Sequence, residues 1–193
     1  MQNGNDMLLK KAQKGDPEAF NRLMETHERQ IYALSLRMMG NSEDAKDCMQ
    51  EAMIRIYRSI ASFKGESAFS TWIYRITTNT CLDELRRRKN RAGTSLDSLL
   101  DDGWSPADPS EAPEESVLRH ERQNALKNAI VSLPADMRAV IVMRDVEGHS
   151  YEEIADILDV NIGTIKSRIS RGREKLKSII LQQRELFVGK SVK

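Results

Sequence analysis

The sequence predicts an all-α protein built from two small helical domains joined by an acidic linker. Three observations carry that prediction. Aromatic residues make up 5% of the chain, and no stretch shows the β-branched alternation of a half-buried strand. Apolar residues recur instead at three- and four-residue spacing, the period of amphipathic helices. Charge is also divided along the chain. Residues 1–90 hold 15 basic and 12 acidic side chains (net +3), residues 91–116 hold 1 and 7 (net −6), and residues 117–193 hold 14 and 10 (net +4). Two basic lobes flank an acidic tether.

The amino-terminal lobe reads as a bundle. A first helix covers residues 6–14 and stops near Gly15. Asp16-Pro17 starts the next, with Asp as N-cap and Pro at the first helical position, where its missing N–H is no loss. Phe20, Leu23, Met24, Ile31, Leu34 and Met38 repeat on one face until Gly40-Asn41. Asn41 or Ser42 caps a third helix to residue 59, with Ala45, Met49, Ala52, Met53, Ile56 and Ile60 inside and Asp44, Asp47, Gln50, Glu51 and Arg55 outside. Residues 62–70, SFKGESAFS, read as a glycine-containing loop, and residues 71–89 as a fourth helix ending in Arg86-Arg87-Arg88-Lys89. Such a run either complements the helix carboxyl end or contacts phosphates.

The acidic segment 91–116 carries Pro106, Pro109, Pro113 and two glycines. Missing amide donors and like-charge repulsion predict an extended tether. Beyond it, helices are expected over residues 116–132 and 135–147, separated by Leu133-Pro134, with Met137, Val140, Ile141 and the stem of Arg144 facing inward.

Residues 150–177, SYEEIADILDVNIGTIKSRISRGREKLK, read as helix, tight turn, basic helix. Ser150 and Glu153 form a capping box, and Ile154, Ala155 and Leu158 give the short helix its apolar face. Val160-Asn161 is the turn, with Asn161 as N-cap of the second helix. There Ile165, Ile169, Gly172 and Leu176 form a buried stripe, and a step of about 100° per residue places Ser167, Ser170, Arg171 and Glu174 opposite. Lys166, Arg168, Arg173, Lys175 and Lys177 lie nearer the flanks. Between positions 164 and 177 six bases meet one acid, while the preceding helix holds Glu152, Glu153, Asp156 and Asp159. Segregation of charge by helix fits a helix-turn-helix that puts short polar groups and Arg on base edges and cations toward phosphates.

Other classes fit less well. No run of about 18 apolar residues suggests a membrane span, and the amino terminus lacks the apolar core of a secretory signal. The reading is therefore cytoplasmic, without direct membrane insertion. Cys48 and Cys81 have no His in metal-ligand spacing and read as reduced packing residues. No glycine-rich phosphate loop, metal cluster or nucleophile–base pair is evident, and His27, His120 and His149 are scattered. No enzymatic activity, metal or cofactor is expected. A dimeric helix-turn-helix regulator would need a sensor or dimerisation domain, which the amino-terminal lobe does not suggest.

Four ordered motifs extend the reading: GDPEAF (15–20), SEDAKDCMQEAMIRIYRSI (42–60), FKGESAFSTWIYRITTNTCLDELRR (63–87) and LPADMRAVIVMRDVEGHSYEEIADILDVNIGTIKSRISRGREKL (133–176). Together they resemble an extracytoplasmic-function (ECF, group IV) sigma factor of bacterial RNA polymerase, in the sigma-70 family, closest in style to the envelope-stress members. The resemblance implies a sigma-2-type bundle over residues 1–90, the linker over 91–116, and a sigma-4-type helix-turn-helix domain over 117–185. It implies core RNA polymerase and promoter DNA as partners, and control by an anti-sigma factor in a stress response. Docking on the polymerase clamp falls to Asp44, Asp47, Gln50, Glu51 and Arg55. Melting of the −10 element and capture of an unstacked base fall to Phe63, Lys64, Gly65, Glu66, Ser67, Arg75 and Asn79, with Trp72 either a stacking platform or core. The −35 element falls to Lys166, Ser167, Ser170 and Arg171 at base edges, Thr164, Arg168 and Arg173 at phosphates, and Arg144 and Tyr151 at the backbone. Met53 replaces a Phe common in the family, and Ser170 stands where some relatives carry an aromatic.

Overall fold

The computed structural model describes residues 2–91 and 113–182, with side chains for 6–90 and 119–182. Every regular element among them is helical: α1 (Gln2–Gln13), α2 (Pro17–Met39), α3 (Ser42–Ser59), α4 (Phe69–Arg91), α5 (Pro113–Val131), α6 (Ala135–Ile141), α7 (Tyr151–Leu158) and α8 (Ile162–Gln182), with a 3₁₀ turn over Ile60–Ser62 and a π-helical turn over Val142–Val146.

Local chemistry sets the boundaries. The Asp16 carboxylate accepts hydrogen bonds from the amides of Glu18 (3.0 Å) and Ala19 (3.1 Å), and Pro17 follows as the first residue of α2. Gly40 ends α2 at φ 90° and donates its N–H to the Leu36 carbonyl. A side chain there would be strained by that φ and would put a Cβ 2.8 Å from the Val131 methyls of α5. Asn41, of the two candidates, caps α3 by accepting from the Asp44 amide at 2.9 Å.

Several expected boundaries move, beginning with α1, which starts at Gln2 where residue 6 was expected. α4 begins at Phe69 and runs to Arg91, longer at both ends than the spacing suggested. α5 begins at Pro113, so the last residues of the acidic stretch are helical; residues 92–112 of the expected tether lie outside the described residues. The helix expected over 135–147 is α6 followed by the π-turn, in which the Glu147 amide reaches back five residues to the Val142 carbonyl at 3.0 Å and His149 reaches six, to Met143. Asp145 in this turn is exposed, while Glu147 just beyond it is engaged at the junction of the lobes.

Two apolar cores result. One lies within the amino-terminal bundle and includes Phe20, Leu23, Met24, Ile31, Ala52, Ile56 and Ile73. The other is shared between the lobes: Leu34, Met38, Tyr74 and Leu82 from α2 and α4 pack with Val140, Met143, Ile154, Ile157, Ile165 and Ile169 from α6, the π-turn, α7 and α8. Burying each such aliphatic side chain contributes about 1.5–3 kcal/mol. On α7 the deepest residues are Ile154 and Ile157, whereas the expected face members Ala155 and Leu158 are half-buried.

Polar groups fix the junction of the lobes. Arg138, 8% exposed, donates to the Met38 carbonyl at the end of α2 (2.5 Å), to Leu133 (3.3 Å) and to Val131. Burial lowers its pKa to about 10, so it remains a cation at neutral pH. Glu147 accepts from Arg37 at 2.6 Å and from the Tyr74 hydroxyl at 2.5 Å, with the His149 ring 4.9 Å from the Tyr74 ring. Burial, and then the Glu147 charge, push the ionisation of Tyr74 far above its ordinary range, so the phenol stays a donor. Arg138 was absent from the inward set expected from periodicity, because Arg at a core position gives no apolar signal.

Candidate promoter and polymerase interfaces

The helix-turn-helix is built from three local devices. Ser150 and Glu153 exchange the reciprocal bonds of a capping box: the Ser150 Oγ accepts from the Glu153 amide at 3.0 Å, and the Glu153 carboxylate accepts from the Ser150 amide at 2.7 Å. Asp159 ends α7 in the left-handed region at φ 54°, one of the few non-glycine types that tolerates it. Asn161 then starts α8 by accepting from the Thr164 amide (2.8 Å) and hydroxyl (3.0 Å). Ile165, Ile169 and Gly172 seat α8 in the shared core, and Gly172 lets it cross α6 closely, since a Cβ there would lie 2.9 Å from Ile141.

With that stripe inward, Lys166, Ser170 and Arg171 are exposed together on α8, and Ser167 is half-buried with its hydroxyl on the Thr164 carbonyl. Two of the flanking cations are already paired. Arg173 holds Asp145 at 2.5 and 3.1 Å, and Arg168 lies 3.9 Å from Asp136. Arg144 donates to the His149 carbonyl at 2.7 Å and stacks over the Tyr151 ring at 4.9 Å, so this pair forms one unit beside α8.

In the amino-terminal lobe Phe63, Phe69 and Trp72 form a ring cluster with centroids 5.3–5.7 Å apart. Trp72 packs on the bundle core and also lines a cleft of about 570 Å³ with Glu66, Ser67, Thr71 and Arg75. Lys64 and Gly65 are exposed at the tip of the loop, with Gly65 at φ 78°, and Asn79 is exposed one turn beyond Arg75 on α4. The opposite wall of the cleft is Ala155, Asp156, Ile157, Asp159, Val160 and Asn161, from α7 and its turn. Asp159 stands 3.8 Å from Arg75. Sequence reasoning missed this wall, because a pair 84 positions apart leaves no local pattern.

On α3, Asp47, Gln50 and Glu51 are exposed, as their spacing implied. Asp44 and Arg55 are half-buried and engaged across to α4: Asp44 accepts from Arg88 (2.7 Å) and Asn41 (2.5 Å), and Arg55 bridges Glu51 (2.9 Å) and Asp83 (2.8 Å). The Arg88 hydrogen bond holds the Asp44 carboxyl below its ordinary range. These residues border an open groove of about 400 Å³ between α3 and α4.

Residues 23–91 match the family model for sigma-70 region 2, and residues 123–176 match that for sigma-70 region 4. The RNA polymerase sigma-H factor of Pseudomonas aeruginosa is 36% identical over 179 residues, 91% of this chain and 93% of that protein. The ECF RNA polymerase sigma-E factor of Escherichia coli is 39% identical over 175 residues (88% and 91%), and the ECF sigma factor SigW of Bacillus subtilis 38% over 180 (88% and 92%). The chain belongs to the ECF sigma factors of the sigma-70 family. Its fold is that of the sigma factor RpoE in the complex with the anti-sigma factor NepR from Bartonella quintana, at TM-score 0.63 and 25% identity over 83% of this chain and 96% of that one. The fold also matches that of CnrH in complex with the cytosolic domain of CnrY, at TM-score 0.59 and 22% identity over 90% and 95%. This sigma factor thus places its region 2 on α2–α4 and its region 4 on α5–α8. Among the described residues no helix is long and apolar enough to cross a membrane.

Proposed function

We propose that this sigma factor directs core RNA polymerase to stress-responsive promoters from the cytoplasm, under the control of an anti-sigma factor, as an initiation factor without enzymatic activity. The observation that carries the reading is the exposed set Lys166, Ser170 and Arg171 on a helix whose opposite stripe is fixed in the core. Lys166, Ser167, Ser170 and Arg171 read −35 base edges, and Thr164, Arg168 and Arg173 hold phosphates, with Arg144 and Tyr151 beside them. Residues 117–185 act as that module and residues 1–90 as the other, joined through 91–116. Within residues 1–90, Phe63, Lys64, Gly65, Glu66, Ser67, Trp72, Arg75 and Asn79 serve the −10 element, the polar groups offering hydrogen-bond edges and the rings an apolar floor for an unstacked base. Asp44, Asp47, Gln50, Glu51 and Arg55 dock the polymerase. Anti-sigma control is supported by the solved structure of similar fold in which the sigma factor RpoE is held by the anti-sigma factor NepR.

Run-off transcription with purified core polymerase and a promoter library tests this. The expected result is transcripts from a sequence-defined subset that appear only when both proteins are present. No stimulation of core polymerase, or tight sequence-specific binding of the free chain to duplex promoters, would overturn it.

A further inference from the structure

Cys48 on α3 and Cys81 on α4 were read from sequence as independent packing residues, but they meet. Their sulfurs lie 2.8 Å apart, closer than two unbonded sulfurs normally pack and within about 1 Å of an S–S bond. Both are free thiols. Their surroundings differ. Cys81 is fully enclosed, with the Ser35 hydroxyl 3.8 Å from its sulfur. Cys48 is 4% exposed and lines the floor of the open groove between α3 and α4, beside Arg55, Arg87 and Arg88. A small uncharged oxidant has a route to one sulfur, and the second stands directly behind it.

We propose that Cys48 and Cys81 form a dithiol–disulfide couple, in which a hydroperoxide oxidises Cys48 and Cys81 resolves it into a staple between α3 and α4. The Cys48 thiolate attacks the terminal oxygen of the peroxide; an S–O bond forms, the O–O bond breaks, and the departing alkoxide or hydroxide takes up the proton that Cys48 lost on ionising and leaves as alcohol or water. The Cys81 sulfur then attacks the Cys48 sulfenic acid; the S–S bond forms, the S–O bond breaks, and hydroxide departs with the Cys81 proton as water. Two electrons pass from the pair of sulfurs to the peroxide. The order of events follows from the asymmetry. The hydrogen bond shared with Cys81 holds the Cys48 thiol below its ordinary range, while the same bond, together with burial, holds Cys81 well above it. The staple would join the helix bearing Asp47, Gln50 and Glu51 to the helix bearing Arg75 and Asn79. The chemistry itself does not depend on the proposed promoter role.

The test uses the reduced full-length chain treated with stoichiometric hydrogen peroxide. The expected product is a monomer lighter by two hydrogens, with both thiols lost to alkylation, one tryptic cross-link joining the Cys48 and Cys81 peptides, and full reversal by dithiothreitol. Cys81→Ser should stop at a dimedone-reactive sulfenic acid on Cys48, and Cys48→Ser should consume peroxide about tenfold more slowly. Circular dichroism of both variants establishes that they are folded. Loss of thiols only through intermolecular dimers would overturn the proposal. So would oxidation of the native chain at the rate of its global unfolding, or equal peroxide reactivity in the two serine variants.

Discussion

Arg171 and Arg173 are two positions apart on one helix and carry the same charge, yet the structure gives them different surroundings. Arg173 is held by Asp145 at the edge of α8, whereas Arg171 projects to solvent from the face opposite Ile165 and Ile169. A guanidinium free to address a base edge discriminates by about 1–3 kcal/mol per good contact. Arg171→Ala should therefore relax preference at one or two −35 base pairs while leaving holoenzyme assembly unchanged, as read by binding of holoenzyme to a −35 substitution series. A uniform loss across the series would assign Arg171 to phosphate contact instead. The exposed part of this face was legible in the sequence because a stripe of four apolar positions fixes the rotation of a helix. Arg138 was not legible. Its role depends on three carbonyls that come together only when α2 ends against α5 and α6, and a lone Arg among apolar neighbours says nothing about them.

At the scale of elements, one close crossing and one ion pair set how helices meet. α8 passes α6 at Gly172, where an added methyl meets Ile141 at 2.9 Å and Met137 at 3.6 Å. In an exposed helix Gly→Ala would stabilise by about 1 kcal/mol; here the clash should reverse the sign, and Gly172→Ala should lower stability by about 1–3 kcal/mol in denaturant unfolding. α3 and α4 are tied at their ends by Asp44 and Arg88. Because the folded state depresses the Asp44 pKa, that carboxylate stabilises the fold above the ordinary aspartate range, and the stabilisation is lost as pH falls through that range toward the depressed value. Asp44→Asn should therefore reduce stability at neutral pH and make the acid limb of the stability–pH curve shallower than in the parent chain. Helix starts such as Asp16-Pro17, Asn41 and Ser150–Glu153 could be read directly, since a cap is a local exchange of hydrogen bonds. The π-turn could not, because periodicity runs smoothly from Ala135 to Val146, and the extra residue shows in backbone bonds such as that from Glu147 to Val142.

For the whole molecule, the decisive feature is the core shared by the two lobes and locked by Glu147 between Arg37 and Tyr74. Charge segregation exposed the two lobes but not their docking, which joins residues more than 70 positions apart. Glu147→Ala leaves a partly buried Arg37 and the Tyr74 hydroxyl without that acceptor, a loss of about 2–4 kcal/mol concentrated at the junction. Small-angle scattering should show a larger radius of gyration for this variant, with faster amide exchange at the end of α2 and in α6. Unchanged scattering and exchange would mean that the apolar contacts alone hold the lobes together.

The pairing of Arg173 with Asp145 and of Arg75 with Asp159 has a thermodynamic consequence for promoter binding. Cations that already carry a carboxylate hold fewer mobile anions, and the phosphate that replaces the carboxylate must first displace it. DNA binding through such groups exchanges one protein charge for another, and fewer small ions enter or leave the balance. The logarithmic dependence of affinity on salt should then be shallower than a count of nearby cations implies, by up to about 0.9 for each internally neutralised contact. Asp145→Asn and Asp159→Asn, which free those arginines at nearly constant shape, should each steepen the measured slope toward that count.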